Sequence, residues 1–138
     1  GAAFGPVAAD LDAADRVFAD ALAGYRSPVA PLIHHLRHYR GKRLRPALLL
    51  LTAKACGGIV PAHHTLAAVV EMIHTATLVH DDVLDEADTR RHARTVSAEW
   101  GNKVGILLGD TLFTHAFHLA STVDGRACRL IGEATNRV

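Results

Sequence analysis

Segment 64–85 contains neither glycine nor proline, and nearly every face of a helix drawn through it is apolar. A surface helix shows one apolar stripe, whereas a helix that is hydrophobic all round belongs in the middle of a bundle. Pro61 suits the first turn of such a helix, where a missing N–H costs little. Other helices must surround it, and the flanking sequence supplies them. Val7, Leu11, Ala14, Val17, Phe18, Ala21 and Leu22 recur at helical spacing over 7–23, with Gly24 as the stop. Ser27-Pro28 reads as the N-cap and first residue of a short helix reaching about residue 39, which Gly41 breaks. Pro46 falls in the first turn of a helix ending at Cys56, closed by Gly57-Gly58. Residues 86–100 are polar and aperiodic, so a loop with at most one turn is expected. A further apolar helix is expected over 102–121, and after Gly125 a last one from about residue 126. No segment reads convincingly as a strand. The expected fold is all-α, a helical bundle in one domain over 1–138.

Composition agrees: 49% of the 138 residues are hydrophobic but only 5% aromatic, which favours helix over sheet. The net charge of +1 says little about partners, but charge is clustered by sign. Five basic residues lie within 37–45 and five acidic ones within 81–88. No aromatic platform or broad positive excess accompanies the basic residues, which argues against nucleic acid as a partner. Cys56 and Cys128 belong to no CxxC pair and are expected as buried thiols in a reducing compartment. No apolar run approaches the ~18 residues of a membrane span. Asp10, Asp12 and Asp15 near the start do not fit a signal pattern, so a cytoplasmic location is expected.

Asp81 and Asp85 stand four apart, about one turn apart on the same face of the central helix. His74 lies two turns earlier on that face, with Glu71 near it. The apolar helix therefore carries one polar stripe, and its C-terminal end holds Asp81, Asp82 and Asp85. Negative charge is unfavourable there, at roughly 0.3–1 kcal/mol each, so a compensating partner is expected. Hard oxygen ligands at this spacing suit Mg²⁺, which takes one or two carboxylates, keeps waters and completes its shell with phosphate oxygens. The alternative is a solvated helix end whose acids pair with Arg90, Arg91 and Arg94.

Gly41-Lys42-Arg43-Leu44-Arg45-Pro46 sits at a helix start, where free backbone N–H groups favour an anion. Lys42 and Arg45 could both reach one phosphate group. Taken alone, the motif reads more simply as a solvent-facing basic turn. Arg90 and Arg91, directly after the carboxylates, suit a metal-bound phosphate, or else ion pairs with Asp85 or Asp88. His34 and His38 are four apart and could seat zinc, but no further ligand is placed by spacing, so surface histidines are the better reading. His63-His64, His115 and His118 read the same way. His80 reads as a hydrogen-bonded packing residue, and Tyr39 and Trp100 as packing residues.

The combination is more specific than its parts. Gly-Lys-x-x-Arg-Pro, a His seven residues before Asp-Asp-x-x-Asp, then Arg-Arg and then Gly-Asp, over roughly residues 25–122, resembles the trans-isoprenyl diphosphate synthase (polyprenyl synthetase) family. The resemblance implies the isoprenoid synthase bundle and a Mg²⁺-dependent prenyltransferase. Such an enzyme condenses isopentenyl diphosphate with an allylic diphosphate to make polyprenyl diphosphate in isoprenoid biosynthesis. It implies that Asp81 and Asp85, with Asp82 beside them, form the first aspartate-rich motif and bind Mg²⁺ bridging to the allylic diphosphate. Arg90 would contact that diphosphate, and Lys42, Arg45, His74 and Arg91 would form the isopentenyl diphosphate site. Gly109-Asp110 matches the family without an assigned role. In the family, bulky residues just before the first aspartate motif stop chain growth. Ala76 and Thr77 are small here, which resembles the long-chain branch.

The family also carries a second aspartate-rich motif on a later helix, whereas Asp124 and Glu133 stand isolated here. The expectation is therefore the N-terminal part of one synthase domain, without turnover by itself, associating as a homo-oligomer (dimer) through uncovered apolar surface. Three rivals share a helical fold. An isoprenoid cyclase binds one diphosphate and would not need Lys42 and Arg45. A non-catalytic helical partner subunit of a two-component synthase tends to lack the aspartate motif, which is intact here. A plain helical interaction domain with coincidental charges predicts no Mg²⁺-dependent diphosphate binding.

Overall fold

The computed structural model describes residues 2–25 and 29–137. A 3-10 segment, Ala2–Val7, leads into α1 (Ala8–Leu22). Then come α2 (Ala30–His35), extended by the 3-10 turn Leu36–His38, and α3 (Leu44–Ala55). The long α4 spans Pro61–Leu84. A short antiparallel pair, β1 (Thr89–Arg90) and β2 (Ala93–Arg94), precedes α5 (Val96–Trp100), α6 (Asn102–Val123) and α7 (Gly125–Asn136). The Ser27-Pro28 helix start lies outside the described residues.

α4 is the central helix. Ala67, Ala68, Val69, Met72, Thr75, Ala76 and Val79 are all buried, and α6, α1 and α3 pack around it. Phe18, Leu22, Leu36, Tyr39, Met72, Leu108 and Leu112 belong to the larger core cluster, and Val7, Leu11, Ala14, Ala47, Leu50 and Ala67 form a second. The close approach of α4 to α6 depends on two glycines. A Cβ on Gly105 would press on Val83, and one on Gly109 would collide with the His80 ring. α5 and α7 start with side-chain caps: Thr95 Oγ1 accepts from the Ala98 N–H at 3.1 Å, and Asp124 Oδ1 from that of Ala127 at 2.5 Å.

Two expectations need correction. Residues 86–100 are not an open loop. They form the β1–β2 hairpin and then α5. The hairpin turn is Arg91-His92, with φ of 50° and 66°. Two left-handed residues give the twist that tight hairpins prefer, but Asn-Gly is the usual signal for it. The cysteines are not both buried: Cys56 is exposed at the C-terminal end of α3, and Cys128 is partly buried.

Candidate functional site

The three acids at the end of α4 separate by helix geometry. Asp82 turns inward and is 2% exposed, while Asp81 and Asp85 face solvent. Arg90 on β1 closes on Asp82 as a fork, with Nη2 at 2.8 Å from Oδ1 and Nε at 3.1 Å from each oxygen. Such bidentate charge-assisted bonds are among the strongest in proteins. The same guanidinium lies 5.9 Å from the centroid of the buried Tyr39 ring, whose hydroxyl accepts from the Val96 N–H at 2.9 Å. Burial raises the Tyr39 pKa, and the bond to Asp82 raises that of Arg90. Asp82, Arg90 and Tyr39 thus pin the hairpin and the start of α5 to α4. One of the pairings considered above, between an acid and Arg90, is present, and it takes Asp82. Arg94 instead bonds Glu99 at 3.0 Å, and among the described residues no ion pair uses Asp81 or Asp85.

His74 marks a second site, seven residues back and so about 10 Å along the helix at ~1.5 Å per residue. A cavity of about 480 Å³ there is lined by Arg40, Gly41, Lys42, Arg43, Leu44, Arg45, Glu71, His74 and Arg91. Lys42 and Arg45 are exposed at its rim, at the N-terminal end of α3, and Glu71 is buried at 5% exposure. Arg91 reaches in from the hairpin and donates Nη1–H to the Arg40 carbonyl at 2.5 Å. Arg40 and Arg43 are themselves tied to Asp15 on α1, Arg43 at 2.7 Å. Partial burial, then Arg45, Arg91 and Arg90, lower the His74 pKa. Burial raises that of Glu71 against the pull of Arg40, Arg45 and Arg91. The four expected residues Lys42, Arg45, His74 and Arg91 therefore line one cavity. Reading the sequence alone missed Glu71 as a lining residue, and it missed Asp15, Arg40 and Arg43 as the frame.

Ala76 and Thr77 part company. Ala76 is fully buried in the core. Thr77 lines an open cavity of about 310 Å³ with Arg45, Val70, Ile73, His74, Ile131, Ala134 and Thr135. His80 packs as expected: Nε2 sits 3.2 Å from the Ile106 carbonyl and 3.3 Å from Asp110 Oδ1, with the ring against Gly109. That gives Gly109-Asp110 a structural role. His35, not His34 or His38, makes the long-range contact in its cluster, with Nε2 2.7 Å from the Arg94 carbonyl. Among the described residues no group of three His, Cys, Asp or Glu side chains gathers as a metal site. No helix among them is long and apolar enough to cross a membrane.

A family model described as polyprenyl synthetase matches residues 27–138. The chain is 42% identical over 120 residues to the all-trans-nonaprenyl-diphosphate synthase (geranyl-diphosphate specific) of Rhodobacter capsulatus, covering 86% of this chain and 37% of that protein. It is 43% identical over 110 residues to the octaprenyl diphosphate synthase of Escherichia coli K12, covering 76% and 34%. Among solved structures, the decaprenyl diphosphate synthase from Rhodobacter capsulatus superposes with a TM-score of 0.87 at 38% identity, over 95% of this chain and 41% of that one. The polyprenyl synthase from Caulobacter crescentus, complexed with calcium and isoprenyl diphosphate, gives 0.86 at 35% identity, over 94% and 40%. The chain thus spans well under half the length of these relatives.

Proposed function

Because the chain belongs to the polyprenyl synthetase family, matched over residues 27–138, we propose that it serves a trans-prenyltransferase joining isopentenyl diphosphate to an allylic diphosphate. The observation that carries this reading is the pair of unlike sites on one helix. A solvent-facing carboxylate pair, Asp81 and Asp85, ends α4, and a basic cavity flanks its middle. The reaction needs two diphosphates held differently. One must leave, and the other must stay on its carrier.

Asp81 and Asp85 fit Mg²⁺: both are hard oxygen donors, exposed and outside every ion pair among the described residues. Two carboxylates fall short of a full shell, and water together with phosphate oxygens of the substrate would supply the rest. When bound, the ion draws charge from the departing diphosphate. Asp82 holds Arg90 at that mouth, and its pair uses Nε and Nη2, which leaves Nη1 to face the allylic diphosphate. Lys42, Arg45, His74 and Arg91 hold isopentenyl diphosphate, whose double bond attacks the allylic cation before a proton is lost. These groups bind and orient, and most of the catalytic effect is positioning and electrostatics. The nonaprenyl and octaprenyl names of the relatives support a long-chain product. Thr77, small and lining a cavity, would leave room for that growth, and a bulky side chain there would stop it.

By this reading the 138 residues hold one side of the metal site and do not turn over alone. Exposed Leu44, Leu48, Leu84, Leu107 and Leu130 support association into a homodimer, and the cytoplasm suits the substrates. The test is titration with inorganic diphosphate without metal, then with Mg²⁺. Lys42→Ala/Arg45→Ala should abolish the metal-independent binding, and Asp81→Ala/Asp85→Ala only the magnesium-dependent part. If neither double variant differs from the parent, the two-site reading is wrong.

A further inference from the structure

Several features converge on Arg91. Its backbone is left-handed, with φ of 50°, at the turn of the hairpin, which aims its side chain back across the fold. Its Nη1 donates to the Arg40 carbonyl at 2.5 Å. Its guanidinium occupies the space where a Gly41 side chain would begin: a Cβ there would collide with Nη1, Nη2 and Cζ. Gly41 itself lies outside the left-handed region, so its backbone does not demand glycine. The 40–43 loop is in turn fastened to α1, because one carboxylate, Asp15, holds both Arg40 and Arg43. Arg40 also covers Phe18, 5.1 Å from the ring centroid. Two of the cavity's cations are thereby committed to the frame.

We infer that Asp15 and Gly41 are positioning residues for Arg91: Asp15 fixes the loop whose carbonyl orients the guanidinium, and Gly41 leaves the room in which it lies. The inference rests on reading the basic cavity as a diphosphate site. Asp15 and Gly41 act through Arg91 and not on the ligand. Replacing Gly41 by alanine meets only the far end of a flexible side chain, so Arg91 moves aside and the fold is kept. Replacing Asp15 frees the loop and both of its arginines.

The full chain, as parent, Gly41→Ala, Asp15→Asn, Arg91→Ala and the two double variants with Arg91→Ala, is titrated with inorganic diphosphate without metal. Gly41→Ala should melt like the parent yet bind about tenfold more weakly, the loss expected when one charge-assisted contact is misplaced. Asp15→Asn should weaken binding in the same direction. Neither should weaken it further once Arg91 is alanine, because residues acting through one group are not additive. Parent-like binding by both single variants, or losses that add to that of Arg91→Ala, overturns the positioning role. If the parent does not bind, or Arg91→Ala binds equally well, the diphosphate reading of Arg91 fails. The Arg91 side-chain N–H resonance of the ligand-free chain then decides positioning. A shift in both Gly41→Ala and Asp15→Asn supports it, and an unmoved resonance overturns it.

Discussion

Arg90→Met removes the counter-charge from a carboxylate that is 2% exposed and holds three short contacts to that arginine. Breaking a buried pair from one side costs about 3–5 kcal/mol, and the lower end applies here because the Arg90 side chain keeps 26% exposure. For 138 residues, an unfolding entropy of about 2.1 cal/mol/K per residue gives roughly 0.3 kcal/mol/K, so 3 kcal/mol lowers Tm by about 10 °C. Asp82→Leu alone should cost less, since Arg90 can swing toward water. The double variant Asp82→Leu/Arg90→Met exchanges a desolvated pair for apolar contact and should recover most of the loss. Urea titration of all four proteins gives the coupling energy directly, expected at about 2 kcal/mol or more. A loss below about 0.5 kcal/mol for Arg90→Met, or a double variant equal to the sum of the singles, would refute the view that this pair pins the hairpin to α4.

Other outcomes follow from neighbouring geometry. Gly109→Ala should cost about 1–3 kcal/mol by urea titration, because the new Cβ displaces His80 from the Ile106 carbonyl and Asp110. His74 is held below its usual 6.5, so the unfolded chain takes the proton first as pH falls. Its contribution to stability is therefore complete above about 6.5 and is lost as pH falls through the lowered folded value. A bound anion favours the protonated ring, so diphosphate affinity should rise across that interval in the parent more steeply than in His74→Gln, as read by calorimetry. In an active synthase carrying this segment, Thr77→Phe should shorten the product by filling the cavity of about 310 Å³, as read by chromatography of the prenyl alcohols. Ala76→Phe should instead lower Tm, since Ala76 is fully buried.

The helices were legible because period and punctuation agree. α4 starts at Pro61 and runs apolar to the acids, and α3 stops at Gly57 and Gly58, whose φ of 128° and 130° only glycine adopts readily. The hairpin was not legible, because Arg91 and His92 take left-handed geometry where Asn-Gly would have marked the turn. The grouping of Lys42, Arg45, His74 and Arg91 on one cavity could be foreseen from the family resemblance, but Glu71 and the frame could not. Asp15 precedes Arg40 by 25 positions, and nothing local marks it as the holder of the loop. Ala76 and Thr77 look equivalent in sequence, yet about 100° of helical rotation puts one in the core and the other on a cavity. The same rotation divides Asp82 from Asp81, burying one carboxylate against the fold and leaving the other facing solvent.

The most direct test of the central claim is calorimetric titration of the chain with an allylic diphosphate analogue, with and without Mg²⁺, beside Asp81→Ala/Asp85→Ala. The account predicts magnesium-dependent binding that the double variant loses while keeping its fold. Binding that ignores magnesium, or that survives loss of both carboxylates, would contradict it.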